Sequence, residues 1–259
     1  MNPVHPGQPA RRRPPVVLLA VLVAALVVAA AVLVATRLTD DGREDPVLVV
    51  YGYNGSADEM ETLADAITAS GRDVTIVDLP DDNTGNLWDS AWTLGQTAEE
   101  VMARTDSDSV DVVAHSAGGI VTRLWVSTTE ADVVRRVVTM GSPHHGSDGA
   151  AIFDPCLEAC QQLTPGSDFL EELGREDETP GEASWVSLWS ENDGAVEPPE
   201  SSEIEGALNI SVQSVCDGAQ INHTQLLSDP LSVNMAVAEV NADEPIEFGP
   251  GDCERLSGT

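Results

Sequence analysis

Lysine is absent from this chain, and all twelve of its basic residues are arginines. Chemistry that needs a lysine amine is therefore excluded, including Schiff-base formation and phosphate binding by a P-loop. Residues 38–259 contain eight arginines against 44 acidic residues, which gives them a net charge of −36. Because this charge repels phosphate groups, we expect no nucleic-acid partner.

Cysteine is scarce, and its four positions all lie in the second half of the chain: Cys156, Cys160, Cys216 and Cys253. An even number of cysteines in an exported domain indicates disulfides, and four cysteines allow three pairings. Cys156 and Cys160 are close enough for a local bridge, which leaves Cys216 to pair with Cys253; four free thiols are the alternative. No C-x-x-C pair is present, so we expect no zinc site, and we expect no other metal or cofactor.

One long apolar run, residues 16–35, follows three consecutive arginines at positions 11–13. A helix of this length spans the roughly 30 Å hydrocarbon core of a bilayer. Flanking positive charge stays in the cytoplasm, so we predict a cytoplasmic segment 1–15, a transmembrane signal-anchor 16–36 and a linker 37–45. The rest of the chain, residues 46–259, would then be held outside the membrane. A cleaved signal peptide and a secreted domain are the alternative, although such apolar cores usually have only about 7–15 residues.

Residues 46–259 are predicted to form one α/β domain in which strands alternate with helices. Its first helix is expected to begin at Ser56, with Glu59 completing a capping box. Because single helices separate the strands, we expect a parallel sheet whose carboxyl edge carries the active site. The predicted strands are 46–51, 74–79, 110–114, 133–140 and 185–189, and the predicted helices after the first are 90–104 and 117–126.

The run VDVVAHSAGG, residues 110–119, predicts a serine nucleophile at Ser116. A strand-to-helix turn that exposes a serine hydroxyl leaves room only for small residues two positions before and after it, here Ala114 and Gly118. The backbone N–H of Ala117 would lie at a helix N-terminus, where it can stabilise an oxyanion. An ordinary tight turn is the alternative interpretation.

A second oxyanion donor is expected in the glycine-rich loop that follows the first strand, YGYNG at residues 51–55. This loop should leave the sheet at the same edge as Ser116, so the backbone N–H of Tyr53 could face the serine. A turn shaped only for packing is the alternative.

A serine nucleophile needs a base, and His223 is the histidine that we expect in this role. It lies alone in a loop late in the chain, as the order of such sites requires. His115 adjoins the nucleophile and is expected to pack or to support the site. His144 and His145 are expected to line the site or to form hydrogen bonds with its loops.

The acid that orients the base is expected to be Asp193, which follows the strand-like run 185–189. The resulting chain order of nucleophile, acid and base is the one found in α/β-hydrolases. Asp217, Glu191 and Glu197 are weaker candidates, and they stay open at this point.

Five segments together resemble the extracellular bacterial triacylglycerol lipases of the α/β-hydrolase superfamily. The resemblance covers about residues 46–240, and the segments are VLVVYGYNGSADEM, VDVVAHSAGGIVTR, TMGSPHHGS, SLWSENDGAVEPPES and INHTQLLSD. It implies an α/β-hydrolase fold, a mostly parallel sheet with helices on both faces. It also implies the triad Ser116, Asp193 and His223, with the amides of Tyr53 and Ala117 as the oxyanion hole. Two positions depart from the usual pattern: Ala114 replaces a glycine, and Tyr51 replaces a histidine.

The resemblance implies a carboxylic ester hydrolase that forms an acyl-enzyme on lipid or other acyl esters. Acyl transfer with the same triad and a non-catalytic, membrane-tethered interaction module are the alternatives; a water-versus-acceptor assay tests the first, and fluorophosphonate labelling tests the second. Residues 146–184 are too long for a plain connection and are predicted to be a lid or, equally, a surface loop fastened by a disulfide.

Overall fold

A computed structural model of the chain describes residues 45–128, 132–149, 155–175 and 177–258. The predicted cytoplasmic segment, the predicted membrane anchor at residues 16–36 and most of the predicted linker lie outside these described residues. Among the helices that are described, none combines the length and the apolar character needed to cross a bilayer.

A parallel β-sheet forms the centre of the domain, and within the described residues it has six strands in the order β2-β1-β3-β4-β5-β6. All residues of β1 and β3 are buried, so both faces of the sheet are covered there. This explains why β1 is a continuous apolar run rather than an alternating pattern. The strands are β1 (Val47–Val50), β2 (Val74–Ile76), β3 (Val110–His115), β4 (Val134–Met140), β5 (Ser184–Trp189) and β6 (Leu208–Ser211).

Helices connect the strands and pack in pairs. Helix α1 (Ala57–Ala69) contacts α7 (Pro230–Val240), and α2 (Leu87–Thr105) contacts α3 (Ala117–Thr128). The shorter helices are α4 (Glu158–Gln162), α5 (Asp168–Leu173), α6 (Val212–Val215) and α8 (Cys253–Ser257).

The register of the sheet brings the carboxyl ends of its central strands together. Val50 at the end of β1 pairs with Ala114 in β3, and His115 at the end of β3 pairs with Met140 at the end of β4. Met140 in turn pairs with Leu188 near the end of β5. The loops that follow these strands therefore meet at one edge, as expected for a parallel sheet.

Several predicted boundaries need correction. Strand β2 ends at Ile76 rather than residue 79, because the backbone of Leu79 forms its hydrogen bonds with the hydroxyl of Tyr51 instead of a neighbouring strand. Helix α2 begins at Leu87 rather than residue 90, since the side chain of Asn86 accepts a hydrogen bond from Trp88 N and caps the helix. Strand β6 was not predicted at all.

The predicted capping box at the start of α1 was wrong. Ser56 is the residue before the helix, but its side chain makes no capping hydrogen bond. Glu59 is exposed and lies at the wall of the pocket described below.

Candidate active site

Ser116 lies at a sharp turn between β3 and α3, at the carboxyl edge of the sheet. Its φ angle is 54°, in the left-handed region that non-glycine residues rarely adopt. The turn is held by two backbone hydrogen bonds, from Ser116 N to Met140 O at 3.0 Å and from Gly119 N to Ser116 O at 3.0 Å. Ala117 begins α3, so the N-terminus of this helix is adjacent to the serine.

Small residues around Ser116 are required because backbone segments approach each other closely. A Cβ atom at Gly118 would lie 2.6 Å from Val50 O and 2.7 Å from Tyr51 O. A Cβ atom at Gly52 would lie 2.7 Å from the Cβ atom of Ser116 and 3.1 Å from its Oγ atom. The glycine at position 52 therefore allows the loop after β1 to lie directly against the serine.

His223 and Asp193 form a hydrogen-bonded pair next to this turn. The Nδ1 atom of His223 lies 2.9 Å from Oδ2 of Asp193, and the backbone N–H of His223 donates to the carbonyl of Asp193 at 2.9 Å. The side chain of Asp193 is almost fully buried, while that of His223 is 14% exposed. Because a carboxylate only accepts, Nδ1 carries the proton, which leaves Nε2 of His223 able to accept one.

The carboxylate of Asp193 is itself held in place by the loop that follows β5. Its Oδ1 atom accepts hydrogen bonds from Ala195 N at 3.0 Å and Val196 N at 2.7 Å. Gly141 provides the space beside the pair, since a Cβ atom there would lie 2.9 Å from Oδ2 of Asp193 and 3.3 Å from Nδ1 of His223. Two backbone donors thus hold the carboxylate of Asp193 in place in addition to its contact with His223.

Ser116 and His223 line the same pocket, which has a volume of about 260 Å³. Its walls are mainly apolar and include Val196 and Leu163, and Tyr53 lines it from the loop after β1. The pocket therefore joins a serine hydroxyl, an imidazole and an apolar surface that can hold an acyl group.

The remaining candidates from the sequence lie elsewhere. Asp217, Glu191 and Glu197 are exposed, and the described carboxylate contact of the His223 side chain is with Asp193. His144 is buried with Nε2 3.2 Å from Thr139 Oγ1, and His145 is half exposed with Nε2 2.9 Å from Glu178 Oε1. These two histidines contact neighbouring segments and do not line the pocket.

Tyr51 anchors the loop that carries Tyr53. Its hydroxyl donates to Leu79 O at 3.1 Å and accepts from Leu79 N at 2.8 Å, and burial raises the pKa of this phenol. The side-chain amide of Asn83 donates to Tyr51 O at 3.3 Å. The phenol hydroxyl of Tyr51 therefore fixes the start of this loop to the backbone of Leu79.

The insertion at residues 146–184 forms one wall of the pocket through Ser147, Cys160 and Leu163. The structure joins Cys156 to Cys160, and Cys216 to Cys253, which is the expected pairing. Whether the insertion acts as a lid stays a prediction.

Ser147 was missed by the sequence analysis, although it connects the insertion to the loop of Asp193. Its Oγ atom donates to Ala195 O at 2.8 Å and accepts from Glu197 N at 2.9 Å. No local pattern marks such a residue, because its partners lie about 50 positions away in the chain.

The sequence profile of the family described as Palmitoyl protein thioesterase matches residues 46–182. Lipase B of Aspergillus fumigatus is similar in structure, with 18% identity and a TM-score of 0.74 over 85% of this chain and 57% of the lipase. The mature lipase BlEst2 of Bacillus licheniformis has 19% identity and a TM-score of 0.64 over 78% of this chain and 94% of the lipase.

A metagenomic carboxyl esterase is also similar, with 16% identity and a TM-score of 0.53 over 64% of this chain and 62% of the esterase. At these identities the structural likeness shows the fold alone. This chain spans little more than half the length of the Aspergillus lipase. The fold common to these proteins is that of the α/β-hydrolases.

Proposed function

The chain belongs to the palmitoyl protein thioesterase family of α/β-hydrolases, and on that premise we propose that it is a carboxylic ester hydrolase with Ser116 as nucleophile, His223 as base and Asp193 as acid. The observation that carries the proposal is the 2.9 Å contact between Nδ1 of His223 and Oδ2 of Asp193, beside a pocket that Ser116 also lines. A base oriented in this way is what activates a serine hydroxyl.

The reaction follows from the positions of these groups. Nε2 of His223 removes the proton of Ser116, and the Oγ atom attacks the carbonyl carbon of the ester. The resulting oxyanion is stabilised by the backbone N–H groups of Tyr53 and Ala117. His223 then gives its proton to the leaving alcohol, and water hydrolyses the acyl-enzyme in a second cycle. Asp193 holds the tautomer of His223 and stabilises the imidazolium that forms.

Lipid or other acyl esters are the proposed substrates, because the pocket wall near Ser116 is mainly apolar. A thioester is the second candidate, and it is favoured by the description of the family whose profile matches the chain. Both substrate types lead to the same acyl-enzyme, and they differ only in the leaving group.

Substitution of the serine tests the proposal directly. Ser116→Ala is expected to lower kcat for p-nitrophenyl esters by about 10⁴-fold or more, because the nucleophile is lost while the binding groups remain. It should also abolish labelling by a fluorophosphonate probe. Ser127→Ala is the matched control, since Ser127 is exposed on the same helix. Activity retained in Ser116→Ala would contradict the proposal.

The leaving group is tested with an oxygen ester and a thioester of the same acyl chain. A higher kcat/KM for the thioester, corrected for the uncatalysed rates, would support the second candidate. The acyl-enzyme formed from both substrates should be the same, so deacylation rates should match.

An extracytoplasmic location is proposed on the basis of the two disulfides, because such bonds persist in oxidising compartments. Anchoring through residues 16–36 is a separate proposal, supported by the apolar run and the arginines before it. Membrane fractionation of the full chain tests it, since a secreted protein would be recovered in the medium.

A further inference from the structure

His115 is the last residue of β3, directly before Ser116, and its side chain contacts the loop of the base. Its Nε2 atom lies 3.1 Å from the backbone carbonyl oxygen of His223. The two imidazole rings are 4.4 Å apart between centroids, with their planes tilted by 42°. His115 is 6% exposed and forms part of the pocket wall.

The partner of this contact defines the tautomer of His115. A carbonyl oxygen can only accept a hydrogen bond, so Nε2 of His115 must carry the proton. Burial, together with the charge of the nearby His223, lowers the pKa of His115 to about 3. The ring is therefore neutral at neutral pH and donates its Nε2 proton to the carbonyl of His223.

The other hydrogen bonds of His223 show what its carbonyl contact with His115 adds. The backbone N–H and Nδ1 of His223 are both held by Asp193, which belongs to the loop after β5. These two bonds fix the base relative to the acid but not relative to the nucleophile. The bond from His115 is a direct link between His223 and the strand that ends at Ser116.

We propose that His115 is a positioning residue that sets the distance between His223 and Ser116 through its hydrogen bond to the carbonyl of His223. The inference rests on the proposed function, because it assigns His115 a part in the same reaction. Reacting groups displaced by about 1 Å can lose about 100-fold in rate. The effect should appear in kcat rather than in substrate binding.

Two substitutions separate the hydrogen bond from the packing of the ring. His115→Phe keeps a ring but removes the donor, and we expect kcat to fall by about 10- to 100-fold with KM almost unchanged. His115→Gln places an amide N–H near the position of Nε2 and should recover most of the loss. Trp92→Phe is the control, because it also changes an aromatic ring and Trp92 is exposed away from the pocket.

Active-site titration distinguishes positioning from loss of folded protein. A fluorophosphonate should label His115→Phe to the same final stoichiometry as the unsubstituted chain but at a lower rate. An unchanged kcat in His115→Phe would overturn the inference. So would a His115→Gln variant that is natively folded, as judged by circular dichroism, and as impaired as His115→Phe.

If the variants do not fold, NMR of the unsubstituted chain still tests the inference. Nitrogen-15 NMR of the imidazoles should show His115 as the neutral Nε2–H tautomer at neutral pH. The Nδ1–H tautomer would overturn the inference, since it has no donor for the carbonyl of His223.

The proposed function fails separately, if the unsubstituted chain is not labelled by the fluorophosphonate or if Ser116→Ala is labelled. If Ser116 reacts normally and His115→Phe matches the unsubstituted chain, only the positioning role is wrong.

Discussion

Gly52 and Gly118 bring the backbone of the loop after β1 into direct contact with the turn at Ser116. The sequence pattern predicted the small residue at position 118, since it belongs to the strand-turn-helix motif. The requirement at position 52 depends on a contact between segments about 60 residues apart, so a local pattern could only suggest it.

The substitution Gly52→Ala tests this close approach. The new methyl group would lie 2.7 Å from Cβ of Ser116, so the loop or the serine must move. We expect kcat/KM for p-nitrophenyl esters to fall by about 100-fold, the cost of displacing reacting groups by about 1 Å. Gly251→Ala is the control, because the structure shows open space around Gly251. Equal activity of the two variants would contradict the expectation.

His144 is a buried titratable residue outside the pocket, and its Nδ1 atom has no hydrogen-bond partner among the described residues. Burial, with the nearby charges of Arg123 and His145, lowers the pKa of His144 to about 3. In the unfolded chain the imidazole of His144 has its ordinary pKa of about 6.5, so it binds a proton at a higher pH than in the folded chain. The free energy of unfolding therefore keeps its full value above pH 6.5. It falls as the pH drops from 6.5 toward 3, because the unfolded chain then binds a proton at His144 that the folded chain does not.

The substitution His144→Gln should reduce this acid sensitivity. Between about pH 7 and about pH 4.5, we expect the free energy of unfolding to fall by about 2.5 kcal/mol less in the variant than in the unsubstituted chain. Urea unfolding at both pH values measures the difference, and any loss of packing cancels because it is present at both. Identical pH dependence in the two proteins would show that His144 does not resist protonation.

The insertion at residues 146–184 is held against the rest of the domain by charged contacts as well as by packing. Arg123 of α3 is buried, and its Nη2 atom lies 3.6 Å from Oε1 of Glu178 and donates to Leu173 O at 3.3 Å. Glu178 also contacts Nε2 of His145 and accepts from Glu205 N at 2.9 Å. One carboxylate therefore holds the end of the insertion against α3, the loop after β4 and the segment before β6.

The substitution Glu178→Gln removes the negative charge opposite a buried guanidinium. We expect the free energy of unfolding to fall by about 1–3 kcal/mol, less than for a fully buried pair because Glu178 is 17% exposed. Glu182→Gln is the control, since Glu182 is exposed nearby. A loss of equal size in both variants would show that the contact with Arg123 contributes little.

Most elements were predictable because their signals are local. The apolar run of β1, the valine-rich segments of β3 and β4 and the periodic pattern of α1 lie within single segments. Strand β6 and the early end of β2 were not predictable, because both depend on partners elsewhere. The backbone of Leu79 bonds to the hydroxyl of Tyr51, a residue 28 positions away, rather than to a neighbouring strand.

The two disulfides of the domain close loops of very different length. Cys216 and Cys253 are separated by 37 positions and join the segment after α6 to α8, whereas Cys156 and Cys160 are separated by 4. A longer closed loop restricts the unfolded chain more strongly, so the two bonds should differ in their effect on stability.

Paired serine substitutions measure this difference. Replacing Cys216 and Cys253 should lower the free energy of unfolding by about 4 kcal/mol, against about 2 kcal/mol for Cys156 and Cys160. Each double variant is the control for the other in denaturant unfolding without reductant. A larger loss from the short loop would indicate that native contacts at the pocket wall, rather than chain entropy, dominate.

Local sequence patterns were enough to predict the parallel α/β architecture and the turn at Ser116, and they gave the proposed triad order of Ser116, Asp193 and His223. These features follow from apolar runs and small residues within single segments, where neighbouring positions impose the conformation. The family match and the structure agree with the superfamily expected from those segments.

Three contacts could be found only in the folded chain: Asp193 with the ring of His223, Tyr51 with the backbone of Leu79, and His115 with the carbonyl of His223. Each of these contacts joins loops between 28 and 108 positions apart. Their geometry depends on how the strand ends converge, which no local pattern specifies. The different environments of the four described histidines, His115, His144, His145 and His223, therefore result from burial and hydrogen bonding rather than from sequence position.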